Sequence, residues 1–99
     1  MDEVGPDVPA PLAVMRQALH ETFLGEVDAR LPRLASLVAG DDVEIDQARR
    51  DAHSLASSAV IVEEPEIARL AQAVELDPVH GPVSDLVAAL SALRQRATS

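Results

Sequence analysis

His53 is the residue of this 99-residue chain best suited to chemistry, and Glu75 follows it at a spacing that would let the two side chains meet. Glu75 comes 22 residues later, and their midpoint is residue 64, inside the helix-breaking segment Glu63-Glu64-Pro65. In an antiparallel helix pair both residues would lie at the same level, about 16 Å from the turn. A carboxylate accepting the Nδ1–H would leave Nε2 unprotonated and nucleophilic. The alternative is that Glu75 is a solvated acid on a helix face.

The helical neighbours of His53 are charged or small rather than large and apolar. Arg49 and Arg50 lie one turn before it, and Ala56 and Ser57 lie one turn after it. The apolar stripe of the same segment runs beside this face. We therefore interpret His53 as an imidazole at the surface, open to approach by a second molecule.

Four amphipathic segments must position these residues. Apolar side chains recur at intervals of three and four in each of them, and no segment alternates with the period of two that is typical of strands. Pro32 is expected to kink the first helix or to begin its second half, and Gly40 to end it. Asp41 and Asp42 are expected to cap the second helix, and Pro65 to begin the third. The stripes are Leu24-Val27-Leu31-Leu34-Val38, Ile45-Ala48-Ala52-Leu55-Ala59-Val62, Ile67-Leu70-Ala71-Val74 and Val83-Leu86-Val87-Leu90-Leu93.

These segments predict an all-α fold, an antiparallel up-down four-helix bundle with a short N-terminal extension or extra helix. Leu12, Met15 and Leu19 form the stripe of that extension, and 77–82 is expected to be a loop because of its Pro and Gly content. Residues 1–11 are acidic and rich in proline and are expected to be a flexible leader, which leaves 12–99 as a single helical domain. Because most of the apolar residues are accounted for within one bundle, we expect a monomer.

Composition excludes several classes of function. The net charge of −9 repels phosphate backbones and anionic membranes, and Phe23 is the only aromatic residue on which a base could stack. There is no Lys for Schiff-base chemistry and no Cys for disulfides or thiolate ligands. No apolar run is long enough to span a bilayer. We therefore expect no nucleic-acid and no membrane partner, and a cytoplasmic location.

Metal binding and hydrolysis are weaker interpretations of the same residues. His20, His53 and His80 lack the spacing of metal ligands, so no metal site is expected. Ser57 and Ser58 follow His53 at four and five residues without a glycine elbow or an oxyanion hole, which does not favour a Ser-His hydrolase.

The segment Ala52-His53-Ser54-Leu55, followed by the small residues 56–59, resembles the core of histidine-containing phosphotransfer (HPt) domains. The continuation from Glu63-Glu64-Pro65 through Glu75 has the spacing of that family, and the resemblance covers roughly residues 20–96. It implies a four-helix bundle with the histidine on the second helix. The family lysine and glycine that follow the histidine are replaced here by Ala56 and Ser57.

The resemblance implies that the protein is a phosphoryl carrier rather than an enzyme. His53 would be the phosphoacceptor and Glu75 would orient its imidazole. The partners would be the receiver domain of a response regulator, a sensor histidine kinase, or both. No cofactor is expected on the domain itself, with Mg²⁺ on the partner receiver. Ala56 and Ser57 correspond to the phosphate- and partner-contacting positions.

Two readings of this resemblance remain open because the family lysine is missing. In the first, Arg49 and Arg50 supply the positive charge and His53 carries phosphate within a phosphorelay. In the second, the chain is a pseudo-HPt interaction module that docks on a kinase or receiver without being phosphorylated.

Overall fold

The computed structural model describes residues 10–98, which form four α-helices and, within that range, no strand. They are α1 (Ala10–Val38), α2 (Ile45–Ile61), α3 (Pro65–Leu76) and α4 (Val83–Thr98). Contacts between residues far apart in sequence show that α1 and α2 are antiparallel, since Arg33 contacts Asp51 and Glu26 contacts Ser58. The predicted all-α four-helix bundle is confirmed. Among the described residues, no helix is both long and apolar enough to cross a membrane.

The predicted helix ends are confirmed at three points. Gly40 follows α1 with φ +84, a left-handed conformation that favours glycine. Pro65 is in the first turn of α3, where its missing N–H is not needed. Segment 77–82 joins α3 to α4, and in it Gly81 approaches the carbonyl oxygen of Asp77 so closely that a Cβ would clash with it. The backbone N–H of His80 donates to the Asp77 carboxylate and thereby lowers the pKa of Asp77.

Pro32 does not divide the first helix, contrary to one expectation from the sequence. α1 is continuous through it, so the stripe of Leu12, Met15 and Leu19 is an extension of α1 rather than a separate helix. Proline removes the hydrogen bond to the carbonyl of Asp28, but both residues are exposed and water can satisfy that oxygen. The Asp28 carboxylate accepts a hydrogen bond from Arg94 Nε at 2.7 Å, which ties this part of α1 to α4.

Two predicted boundaries need correction. Asp41 and Asp42 do not cap α2, which begins at Ile45 with Glu44 as its N-cap and no side-chain hydrogen bond there. The acids are exposed and lie too early in the chain to reach the first free N–H groups. The predicted leader, 1–11, ends too late because α1 already begins at Ala10. Its first nine residues lie outside the described part of the chain.

The core combines large side chains from all four helices with a set of alanines on α2 and α3. Phe23 and Leu34 of α1, Leu55 of α2, and Leu86 and Leu90 of α4 are fully buried. α2 and α3 make the most extensive helix–helix contact of the bundle. Small side chains let helix axes approach closely, which keeps side chains on the two helices within hydrogen-bonding reach. The buried alanines of α2 and α3 are Ala48, Ala52, Ala56, Ala59, Ala68 and Ala71.

The buried carboxylate of Asp51 joins α2 to α1, and the helical periodicity of the sequence does not indicate this contact. Asp51 is 2% exposed and accepts two hydrogen bonds from Arg33, at 2.6 and 2.9 Å. Gln47 donates a third at 3.1 Å, and Arg30 lies 4.0 Å away. A buried charge needs such partners because it has lost its hydration. The cluster therefore fixes the relative height of the two helices.

We predict that Arg33→Ala lowers the free energy of unfolding by about 2–4 kcal/mol, because it leaves Asp51 buried with too few partners. Arg69→Ala is the matched control. Arg69 donates hydrogen bonds to Glu66 three residues earlier, both side chains are exposed, and the loss of Arg69 is expected to change stability by less than about 0.5 kcal/mol. Urea unfolding followed by circular dichroism at 222 nm measures both changes. Equal effects of the two substitutions would contradict the structural role of the Asp51 cluster.

Candidate functional site

His53 lies on the exposed face of α2 with its imidazole hydrogen-bonded to α3. Its Nδ1 is 2.8 Å from Glu75 Oε2. The His53 side chain is 67% exposed, and that of Glu75 is 33% exposed. The spacing argument from the sequence therefore placed these two residues correctly, and the interpretation of Glu75 as a solvated acid is wrong.

This hydrogen bond determines which ring nitrogen of His53 is free. An ionised carboxylate can only accept, so Nδ1 must carry the proton. In the neutral imidazole, Nε2 then has an unshared electron pair. Because the side chain is largely exposed, Nε2 is open to an electrophile carried by another molecule.

The turn between α2 and α3 sets the register that brings His53 and Glu75 together. α2 ends at Ile61, and the backbone N–H of Glu64 donates to the carbonyl of Ala59 at 2.8 Å. Glu63 adopts φ +62, a left-handed conformation that reverses the chain within two residues. Because Pro65 starts α3 at once, the turn is short and α3 lies directly against the second half of α2.

Arg49 is fixed one turn before His53, between α2 and α3. Its Nη1 donates to Asp46 at 3.0 Å, and its Nε donates to the backbone carbonyl of Glu75 at 3.4 Å. Arg50 instead donates to the side chain of Gln47 at 2.8 Å. Both arginines are exposed. The sequence singled out both residues, and the structure ties only Arg49 to the residue that orients the imidazole.

Ala56 and Ser57 have different surroundings, and the interpretation of Ala56 is corrected. Ala56 is 5% exposed and packs in the core, so it presents almost no surface to a partner. Three residues after His53 the helix has turned by about 300°, which carries Ala56 to the buried side. Ser57 is one residue further round, exposed and on the face of His53. Its small side chain leaves space beside the imidazole.

Glu26 on α1 holds the other side of α2, and the sequence reasoning missed it. Its carboxylate accepts hydrogen bonds from Ser58 at 2.9 and 3.0 Å and from Ser54 at 3.3 Å. The two serines are four residues apart and therefore share one face of α2. The spacing of the two serines could have indicated a polar contact on this face of α2. Only the packing of α1 against α2 shows that the contact is with Glu26. This contact stabilises the position of α2, and with it that of His53.

The described residues contain no group of three or more His, Asp or Glu side chains that could hold a metal ion. The arrangement can present a neutral imidazole nucleophile, hold its proton at Nδ1 and place one guanidinium nearby. It can therefore accept a group from an electrophile that a second molecule supplies.

Comparison with known proteins finds the family of this chain. The family model described as "Hpt domain" matches residues 12–97, which is most of the chain. No match to a curated protein or to a solved structure was found. The matched range contains all four residues of the site described above, His53, Glu75, Arg49 and Ser57.

We predict that neutral His53 exists mainly as the Nδ1–H tautomer, because only that form donates to Glu75. Histidine ring ¹⁵N chemical shifts, measured above the titration range of the imidazoles, report the tautomer. Glu75→Ala removes the acceptor and is expected to shift His53 towards the Nε2–H form that free histidine prefers.

His80 is the internal control for this measurement. Its side chain is 82% exposed and should give the same shifts in both proteins. The predicted orienting role of Glu75 is contradicted if the His53 tautomer is unchanged in Glu75→Ala.

Proposed function

Because the chain belongs to the Hpt domain family, whose members are phosphotransfer modules of two-component signalling, we propose that it carries a phosphoryl group on His53. The partners in this exchange are an aspartate of a response-regulator receiver, a histidine kinase, or both. The observation that supports the proposal most strongly is the 2.8 Å contact of Nδ1 with Glu75, which leaves Nε2 of an exposed imidazole free.

The proposed reaction is a displacement at phosphorus. Nε2 of His53 attacks the phosphoryl group of an aspartyl phosphate, the N–P bond forms, and the bond between phosphorus and the carboxylate oxygen breaks. The aspartate leaves as a carboxylate. The ring becomes cationic while Nδ1 keeps its proton, and the negative charge of Glu75 stabilises that cation. Transfer to a second aspartate is the same step in reverse.

In this proposal the domain is a carrier and not a stand-alone enzyme. Phosphoryl transfer depends mainly on positioning and on stabilisation of charge, and the receiver would supply the electrophile and the Mg²⁺. Exchange with receivers and kinases requires the carrier to share their compartment, the cytoplasm. The domain contributes a nucleophile in a fixed orientation.

The proposed reaction requires positive charge near His53, because the net charge of −9 would otherwise repel an anionic phosphoryl donor. The phosphoryl group and an acidic receiver site are both anionic, and the family lysine is replaced by the buried Ala56. We assign the compensating charge to Arg49. Its guanidinium is held by Asp46 and by the carbonyl of Glu75, so little side-chain entropy is lost when it meets the phosphoryl group.

The direct test is phosphorylation of the purified domain with phosphoramidate and with a panel of phosphorylated receivers. We expect an acid-labile, base-stable phosphoryl group on the wild type and none on His53→Gln. His20→Gln is the matched control and should be labelled like the wild type. If no donor labels the domain although it binds a receiver or kinase, the chain is a docking module, and the proposed phosphotransfer is wrong.

We further predict that Arg49→Ala lowers the second-order rate constant of phosphotransfer by about 3- to 10-fold, as expected for loss of one partly exposed charge contact of about 1 kcal/mol. Arg50→Ala should lower it less than about 2-fold, since Arg50 is held by Gln47 and not beside Glu75. Single-turnover kinetics with one receiver measure both. A larger loss in Arg50→Ala than in Arg49→Ala would refute the assignment of this charge to Arg49.

A further inference from the structure

α1 is longer than the rest of the bundle, and its first part has no helix beside it. Arg33 lies level with Asp51 and Glu26 with Ser58, so Ile61, the end of α2, is level with about residue 23 of α1, and Glu64 in the turn is level with about residue 20. α4 ends at nearly the same level, because Arg94 is level with Asp28 and α4 continues only to Thr98. Residues 10–19 of α1 therefore extend about 15 Å beyond the turn between α2 and α3. We call this segment the overhang.

The overhang carries apolar side chains that the described residues cover only in part. Leu12 and Leu19 continue the stripe of the buried Phe23 along α1, and they are 41% and 40% exposed. Met15 beside them is 57% exposed. The expectation of a monomer rested on most of the apolar residues being accounted for within one bundle, and Leu12, Met15 and Leu19 are among those that one bundle leaves exposed.

Charge at this end of the molecule is divided between two elements. The overhang contains Arg16 and no Asp or Glu, and His20 follows at its lower end. The turn between α2 and α3 is acidic at Glu63 and Glu64. A groove between the two elements is lined by Ala13, Arg16, Gln17, His20, Val62 and Glu63. Within the described residues, neither Arg16 nor Glu63 forms an ion pair, whereas Glu64 lies 3.9 Å from Arg96.

We propose that this groove binds the overhang of a second copy of the chain in a two-fold symmetric dimer. A two-fold interface requires one surface to carry both complementary parts. This end of the molecule carries both parts. The overhang supplies exposed apolar side chains and Arg16, and the turn on the other side of the groove supplies Glu63. In the dimer, Leu12 and Leu19 of each copy enter the groove of the other, and Arg16 of each pairs with Glu63 of the other.

The size of the overhang indicates a weak dimer. Standard interfaces bury about 800 Å² per partner, and a helical segment about 15 Å long offers less. We therefore expect a dissociation constant on the order of 100 µM. His53 lies ten residues before Glu63 on α2, about 15 Å from the groove, so both phosphotransfer faces remain open in the dimer.

Sedimentation equilibrium of the full chain between 10 µM and 1 mM tests the proposal. We expect the average mass to rise from 10.5 kDa towards twice that value. Arg16→Glu and Glu63→Arg should each weaken association at least 5-fold, and the double variant, which restores opposite charges across the interface, should recover most of that loss. Asp42→Arg is the matched control, because it changes the charge by the same amount at an exposed position between α1 and α2, at the opposite end of the bundle.

Two results would overturn the dimer. One is a mass of 10.5 kDa at every concentration. The other is a double variant no better associated than the single ones. The proposal does not depend on phosphotransfer, because Arg16 and Glu63 are outside the His53 site and their variants should be phosphorylated like the wild type.

Discussion

The register of α3 against α2 is the constraint on which the rest of this structure depends. A shift by one residue would turn Glu75 about 100° around α3 and remove the acceptor from His53 Nδ1. The register follows from a turn without glycine, in which Glu63 takes a left-handed conformation that costs about 1 kcal/mol for a residue with a side chain. Close packing of the two helices through alanines offsets that cost. The free electron pair of Nε2 is thus a consequence of helix packing.

Much of this arrangement could be predicted from the sequence, because it rests on local signals. Helical spacing defines the four helices, and the distance from His53 to Glu75 about a known turn places them at one level. The exceptions depend on tertiary structure. Pro32 remains within α1 because exposure makes the lost hydrogen bond tolerable. The buried pair of Arg33 and Asp51 joins residues 18 positions apart, and an isolated helical pattern contains no information about such a pair.

The electrostatic field at His53 depends on where the charged side chains lie and not only on the net charge of the chain. A net charge of −9 would repel an anionic electrophile, yet Arg49 is fixed beside the imidazole by an acid of its own helix and by the backbone of α3. The burial of Ala56 could have been read from helical periodicity, since it lies about 60° from His53 on the side of the core. The resemblance to the family implies that position 56 contacts phosphate or a partner, whereas in the structure Ala56 is packed in the interior.

The most direct test of the central claim is to determine which nitrogen of His53 carries the phosphoryl group. Phosphorylated domain labelled with ¹⁵N histidine can be examined by NMR, in which coupling to ³¹P identifies the bonded nitrogen. The account predicts phosphorus on Nε2 with the proton retained on Nδ1 beside Glu75. Phosphorus on Nδ1 would contradict it, because that nitrogen is the one that Glu75 holds at 2.8 Å.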